Sequence, residues 1–82
     1  MKILVRLEVP AIEKSYDVWI PDNLSVSDTI ELLGTSVEKI SNHKYIFSGS
    51  ESLCIRSGNK VMSRKEKILA YDVKNGDYIV LI

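Results

Sequence analysis

The residues best suited to chemistry in this 82-residue chain are its only cysteine, Cys54, and its only histidine, His43. A nucleophilic cysteine needs a positioned base and a third group that orients the base, and the sequence offers no such third member. A lone histidine without a cluster of carboxylates does not make a metal site. We therefore interpret Cys54 as a strand residue and His43 as a surface residue, and the sequence predicts no catalytic residue, metal site or cofactor.

Other signatures of catalysis and of nucleic-acid binding are also missing from the sequence. It contains no Gly-rich phosphate loop and no paired catalytic carboxylates, and a short chain has little room for a pocket of about 300 Å³ or more. Eleven Lys/Arg balance eleven Asp/Glu, whereas a nucleic-acid binder carries excess positive charge. We expect a protein that is not an enzyme and does not bind nucleic acid.

Length and composition predict one small domain spanning residues 1–82. The chain is 45% hydrophobic and 27% charged, as in ordinary soluble domains. Charged residues interrupt every apolar run between Met1 and Val9, so this segment is not a signal peptide or a membrane-spanning helix. We expect a cytoplasmic protein without direct membrane insertion, which only a partner would bring to the inner face of the membrane.

Period-two alternation indicates strands at the start of the chain. Apolar residues occupy alternate positions from Met1 to Val9, which assigns the odd positions to a core. Alternation resumes from Tyr16 to Ile20 after an interruption at Pro10, which predicts a β-hairpin.

A helix is predicted next. The segment Ser25–Glu31 is rich in capping side chains, with Asp28 and Glu31 at capping-box spacing. Apolar residues then fall at offsets 0, 3, 7 and 10, which predicts one buried helical stripe formed by Ile30, Leu33, Val37 and Ile40.

The second half of the chain is predicted to add short strands. Residues 42–52 are interpreted as a surface loop anchored by Tyr45 to Phe47, with a short extra strand as the alternative. Strands are predicted at 53–56, 60–62 and 78–82, with turns at Ser57-Gly58-Asn59 and Asn75-Gly76. The order of elements predicts an α+β fold with a mixed four- to five-stranded sheet, its first and last strands side by side, and one helix packed across one face.

Several motifs resemble the ubiquitin superfamily. The segment Ser27–Glu31 resembles the start of ubiquitin's helix, and Ile68, Tyr71 and Val73 fit the Leu-x-x-Tyr-x-Ile turn before its last strand. The resemblance spans nearly the whole chain and implies the ubiquitin-like β-grasp fold, in which the Tyr71 hydroxyl caps a nearby backbone group.

The ending Asn75–Ile82 is most similar to the bacterial YukD/EsaB family, tail-less ubiquitin-like proteins associated with type VII secretion. The sequence shows no Gly-Gly after its predicted last strand. The resemblance implies an accessory or regulatory subunit of a machine that exports WXG-type proteins, one that binds components of the apparatus and is not conjugated to substrates.

Strand alternation also predicts an apolar sheet face directed away from the helix. Such a face commonly marks an interaction site. The predicted protein-binding residues are Leu4, Trp19, Cys54, Tyr78, Val80 and Ile82, together with Arg6 and Arg56. Alternatively, the loop containing Tyr45 to Phe47 covers this face. Basic residues either form a rim that steers an acidic partner or are simply solvated; they are Arg6, Arg56, Lys60, Arg64, Lys65 and Lys67.

Two further functions remain as alternatives. One is a ubiquitin-like modifier or sulfur carrier activated at its C-terminus, which the missing Gly-Gly disfavours. The other is a structural homodimer formed by the same face or by strand edges.

Overall fold

The computed structural model describes residues 1–56 and 60–82. These residues form one sheet of five strands with the order β2-β1-β5-β3-β4, and one α-helix. The strands and helix are β1 (Lys2–Val9), β2 (Lys14–Pro21), α1 (Val26–Ile40), β3 (Leu53–Ile55), β4 (Lys60–Val61) and β5 (Tyr78–Leu81). β1 and β5 are parallel neighbours and the other strand pairs are antiparallel. The predicted α+β fold with a mixed sheet is confirmed, while the turn predicted at Ser57-Gly58-Asn59 lies outside the described residues.

The β1–β2 hairpin supplies one wall of the core. Its turn includes a short 3-10 helix at Pro10–Ile12. The side chains of Ile3, Val5, Leu7 and Val9 are buried, as the alternation predicts. Met1 is 98% exposed, so its predicted place in the core is wrong. The ladder of β1 and β2 begins at Lys2, so Met1 lies beyond the end of the paired region.

The helix α1 packs against the sheet through a stripe that ends earlier than predicted. Val26, Ile30, Leu33 and Val37 are buried, but Ile40 is 58% exposed. Ile40 is the last helical residue, and after it the chain turns back so that Tyr45 supplies the next buried side chain.

The cap of α1 also differs from the predicted pair of Asp28 and Glu31. The helix begins at Val26, and the Ser25 hydroxyl accepts a hydrogen bond from the Asp28 amide at 3.0 Å. Asp28 therefore lies within the first turn, where its negative charge suits the helix dipole.

Residues 42–52 form a loop without a strand, which confirms the loop interpretation. Tyr45 is buried in the core and the half-buried Phe47 packs against it. The ring of Phe47 lies over Gly34 of α1, where a Cβ would come within 2.6 Å of the ring atom Cε1. The close approach of the loop therefore favours glycine at this helical position.

The segment before β5 fixes that strand in the centre of the sheet. The Tyr71 hydroxyl accepts a hydrogen bond from the Ser63 amide at 2.7 Å, which confirms its predicted capping role. Gly76 has φ +90°, a conformation that favours glycine. The Asn75 side-chain oxygen accepts a bond from the Leu4 amide at 2.9 Å, and the Gly76 amide donates to the Leu4 carbonyl at 2.8 Å.

Candidate docking face

The sheet surface opposite α1, here called the open face, carries the residues that the sequence predicts to bind protein. Trp19, Tyr78 and Ile82 are 58%, 46% and 59% exposed. Strand alternation directs the other predicted protein-binding residues to the same surface. Leu4, Cys54 and Val80 are half-buried there, and Arg6 and Arg56 are exposed. The strands thus present one continuous surface that contains apolar and charged side chains.

Strand register arranges the apolar side chains in two groups. Trp19 lies directly opposite Leu4 in the β1–β2 ladder. Further across the same face, Cys54 lies between Val80 of β5 and Val61 of β4. Val61 is 59% exposed and extends the second group, although the sequence interpretation did not include it. Its two-residue strand is too short for alternation to indicate which way its side chain points.

Charged side chains separate these two groups. Arg6 of β1 pairs with Asp17 of β2 at 3.0 Å, and Arg56 pairs with Glu8 at 2.9 Å. The Arg56 guanidinium also lies 5.1 Å from the centroid of the Tyr78 ring, at cation–π distance. Two arginines and two carboxylates therefore form a neutral band across the middle of the open face.

This arrangement differs from the expected basic rim. Arg6 and Arg56 lie within the face, and each is already paired with a carboxylate of the same chain. Arg64 donates to the backbone oxygens of Gly49 and Glu51, both at 2.8 Å, and so holds the loop. Each of these three arginines therefore already has a partner within the chain.

Two shallow depressions lie on either side of Tyr78. One has a volume of about 370 Å³ and is lined by Arg56, Gly76, Asp77 and Tyr78. The other has a volume of about 230 Å³, and its lining residues include Leu4, Arg6, Asp17 and Tyr78. The open face therefore has two exposed aromatic side chains, Trp19 and Tyr78, and two hollows that a protein partner can contact.

The loop of residues 42–52 does not cover this part of the open face. Tyr45 enters the core and Phe47 packs on α1, so both anchors lie on the helix side of the sheet. Ile46 is 64% exposed and, with Ile82, lines a third depression of about 410 Å³. Ile82 thus lies next to the loop, at the far end of the face from Trp19.

A buried carboxylate that the sequence interpretation missed organises the same loop. Glu51 is 5% exposed and accepts hydrogen bonds from the Tyr45 hydroxyl at 2.6 Å and from the amides of Ser48 and Gly49 at 2.9 and 2.8 Å. Burial alone would raise the pKa of Glu51, but these hydrogen bonds outweigh it and lower the pKa to about 2. Burial and the neighbouring carboxylate raise the pKa of Tyr45 well above its usual value. Glu51 is therefore a charged structural centre of the loop.

His43 and Cys54, the two residues whose side chains are best suited to chemistry, lie in separate parts of the fold. His43 Nδ1 lies 3.4 Å from a carboxylate oxygen of Glu38 at the exposed end of α1, and Cys54 lies half-buried in the sheet. Residues 1–56 and 60–82 contain no group of three or more His, Cys, Asp and Glu side chains that could hold a metal ion. Among the same residues, no helix has the length and apolar character needed to cross a membrane.

Comparison with known proteins identifies the fold. No family model and no curated protein matches the sequence. Solved structures match over the whole chain, among them the UBL domain of Plasmodium falciparum Dsk2, with 21% identity, a TM-score of 0.67 and full coverage of both chains. The fold is the ubiquitin-like β-grasp fold.

Two further solved structures share this fold. The EccD5 ubiquitin-like domain from Mycobacterium xenopi has 12% identity and a TM-score of 0.70, with coverage of 100% of this chain and 93% of that one. A chain of the MycP5-free ESX-5 inner membrane complex has 13% identity and a TM-score of 0.67, and the match covers 99% of this chain but 20% of that chain. At these identities the likeness shows the fold alone.

Proposed function

We propose that this ubiquitin-like chain is a non-conjugated protein-interaction module that serves as an accessory or regulatory subunit of a bacterial type VII, or WXG-type, secretion system. Two observations support the proposal. The segment Asn75–Ile82 resembles the ending of the YukD/EsaB family, and the fold recurs in the EccD5 domain of a type VII system and in a chain of the ESX-5 inner membrane complex. The chain would act in the cytoplasm and reach the membrane only through its partner.

The exposure of Trp19 and Tyr78 on the open face carries the proposal that the module acts by contact. Large aromatic side chains dominate the binding energy of protein interfaces, particularly where they fill pockets on a partner. Val80 and Cys54 form a second apolar group on this face. The band of paired arginines and carboxylates, which has no net charge, lies between that group and Trp19. A surface of this kind suits a protein partner that presents both apolar side chains and hydrogen-bonding groups.

Backbone pairing holds Ile82 in the fold. The Ile82 carbonyl accepts a hydrogen bond from the Ser52 amide at 2.6 Å, and its amide donates to the Ser52 carbonyl at 3.0 Å. Contact through the open face leaves both hydrogen bonds in place.

Point variants of the open face test the proposal. The binding partners to be used are the secretion ATPase and the cytoplasmic domains of the membrane components from the same organism. Trp19→Ala and Val80→Asp should each weaken binding about tenfold or more, because each alters a different apolar group of the face. Isothermal titration calorimetry gives the affinities, and circular dichroism confirms that each variant is folded.

Matched controls lie off the open face. Leu69 and Ile40 are 56% and 58% exposed, so Leu69→Ala and Ile40→Asp make a comparable truncation and the same introduction of a charge elsewhere on the surface. Both controls should bind as the wild type does. Equal binding by Trp19→Ala, Val80→Asp and the wild type would refute the open face as the docking surface.

A further inference from the structure

The charged residues of the open face are arranged so that a second copy of the chain complements them. We propose that the chain forms a two-fold dimer in which two open faces pack against each other, with the symmetry axis parallel to the strands and between β1 and β5. Asp17 of each copy then faces Arg56 of the other, and Trp19 of each copy fills the depression beside Tyr78 of the other.

Strand register sets the order of the charges across the open face. At one level of the sheet the residues run Asp17 in β2, Arg6 in β1, Tyr78 in β5 and Arg56 just after β3. The proposed axis places β2 of one copy over β3 of the other, and β1 over β5. Asp17 therefore faces Arg56, and Arg6 faces the Tyr78 ring, in both halves of the dimer. Asp17 and Arg56 keep their partners Arg6 and Glu8 within each chain. Across the interface these ion pairs meet with opposite charges facing each other and with a guanidinium on an aromatic ring, and both contacts are favourable.

The same register disfavours the other two-fold arrangement of two facing sheets. An axis perpendicular to the strands that passes through this level places each strand over its own copy, so that Asp17 faces Asp17 and Arg56 faces Arg56. Like charges facing each other across an interface are unfavourable. The sequence of charges across the sheet therefore selects one orientation.

Shape agrees with charge in this orientation. Trp19 lies at the level of Leu4, and Gly76 lies at the same level in the neighbouring part of the sheet, because its amide bonds to the Leu4 carbonyl. The proposed axis carries Trp19 from β2 to the β3 side of the second copy, next to the 370 Å³ depression lined by Arg56, Gly76, Asp77 and Tyr78. The most exposed aromatic side chain of the face thus meets a concave site of the other copy.

The size of the face makes this dimer reversible. The molecule measures 31 × 25 × 23 Å, so the open face offers each copy no more than the roughly 800 Å² per partner of a standard interface. Dimer formation should therefore depend on protein concentration. This inference rests on the proposed function in one respect: because the dimer covers Trp19 and Tyr78, self-association and partner binding would exclude each other.

Charge reversal tests the dimer without any partner. Sedimentation equilibrium of the full chain, from micromolar to millimolar concentration, should show wild type passing from monomer to dimer. Asp17→Arg places a second positive charge opposite Arg56, and Arg56→Asp places a second negative charge opposite Asp17, so each variant alone should dimerise at least about tenfold more weakly. Glu31→Arg on α1 and Lys65→Asp in the exposed segment before Ile68 make the same charge changes off the open face and should dimerise as the wild type does.

Mixing the two variants provides the decisive result. In a mixed dimer every reversed residue faces an opposite charge, so an equimolar mixture of Asp17→Arg and Arg56→Asp should dimerise again. Circular dichroism and thermal unfolding show whether each variant is folded. A wild type that stays monomeric, reversal variants that dimerise normally, or a mixture that stays monomeric would each overturn the inference.

These outcomes are separate from those of the proposed function. If the wild type is monomeric at every concentration while Trp19→Ala loses its secretion partner, the dimer is refuted and the docking function stands. If the mixed variants dimerise while partner binding is insensitive to Trp19→Ala and Val80→Asp, the dimer stands and the docking function is refuted.

Discussion

Gly34 lies directly beneath the aromatic ring of Phe47, and this contact ties the loop of residues 42–52 to the helix. A Cβ at position 34 would lie within 2.6 Å of the ring atom Cε1, closer than a carbon atom can approach without displacement. The loop therefore stays on the helix side of the sheet, and the open face remains uncovered.

The first prediction concerns Gly34→Ala. Alanine favours helix by up to about 1 kcal/mol relative to glycine, but at this position its methyl group must displace the Phe47 ring, and overpacking of this kind costs about 1–3 kcal/mol. We expect a net loss in the free energy of unfolding, measured by urea denaturation. In a Phe47→Ala background the ring is absent, so the same change should become neutral or stabilising.

Ser36→Ala on the exposed side of α1 is the matched control and should leave stability nearly unchanged. If Gly34→Ala stabilises the chain that still contains Phe47, the close approach of loop and helix is not present in solution.

The second prediction concerns pH and Glu51. The pKa of Glu51 is lowered from 4.5 to about 2 in the folded protein, so the unfolded chain binds its proton more readily. Its contribution to stability is therefore fully present above about pH 4.5 and is lost as the pH falls towards 2, and it amounts to about 3 kcal/mol. Unfolding free energies of the wild type and Glu51→Gln, measured from pH 7 to pH 2, should differ most above pH 4.5 and converge in acid.

Tyr45→Phe removes one of the donors to this carboxylate and should make stability less dependent on pH over the same range. A constant difference between wild type and Glu51→Gln at every pH would contradict the charged, hydrogen-bonded state of Glu51.

The third prediction concerns Tyr71, whose hydroxyl accepts a hydrogen bond from the Ser63 amide at 2.7 Å. Tyr71→Phe removes the acceptor but keeps the ring that packs on the core and lies 5.4 Å from the Lys60 ammonium. The expected cost is about 1 kcal/mol, measured by thermal or urea unfolding. Tyr16→Phe, which also keeps a half-buried ring at the core, should cost clearly less, and an equal loss for both would assign no special role to Tyr71.

Local patterns in the sequence were sufficient to predict most of the fold. Alternation from Ile3 to Val9 identifies the buried face of β1, and the resemblance of the Tyr71 turn to ubiquitin indicates the segment that precedes β5. Both signals depend on residues close together in the chain. They succeed because strand burial and turn formation follow a fixed local period or a short motif.

The features that could not be predicted depend on residues distant in sequence. Arg56 and Glu8 are separated by 48 positions, and only the pairing of β1, β5 and β3 brings them together within the open face. Glu51 lies in a polar run that has no periodic signal, although its buried charge is matched by loop amides two and three residues before it. Ile40 fits the helical period but lies one turn beyond Val37, where the buried stripe ends.

Mapping the bound surface by NMR tests the central claim, that the open face is where this module contacts its partner. The ¹⁵N-labelled chain would be titrated with the cytoplasmic components of the secretion apparatus from the same organism, at a concentration where the labelled chain is monomeric. The proposal predicts the largest shift changes at Leu4, Trp19, Tyr78 and Val80, including the Trp19 indole N–H. Changes confined to α1 and the loop of residues 42–52, with the open face unaffected, would contradict it.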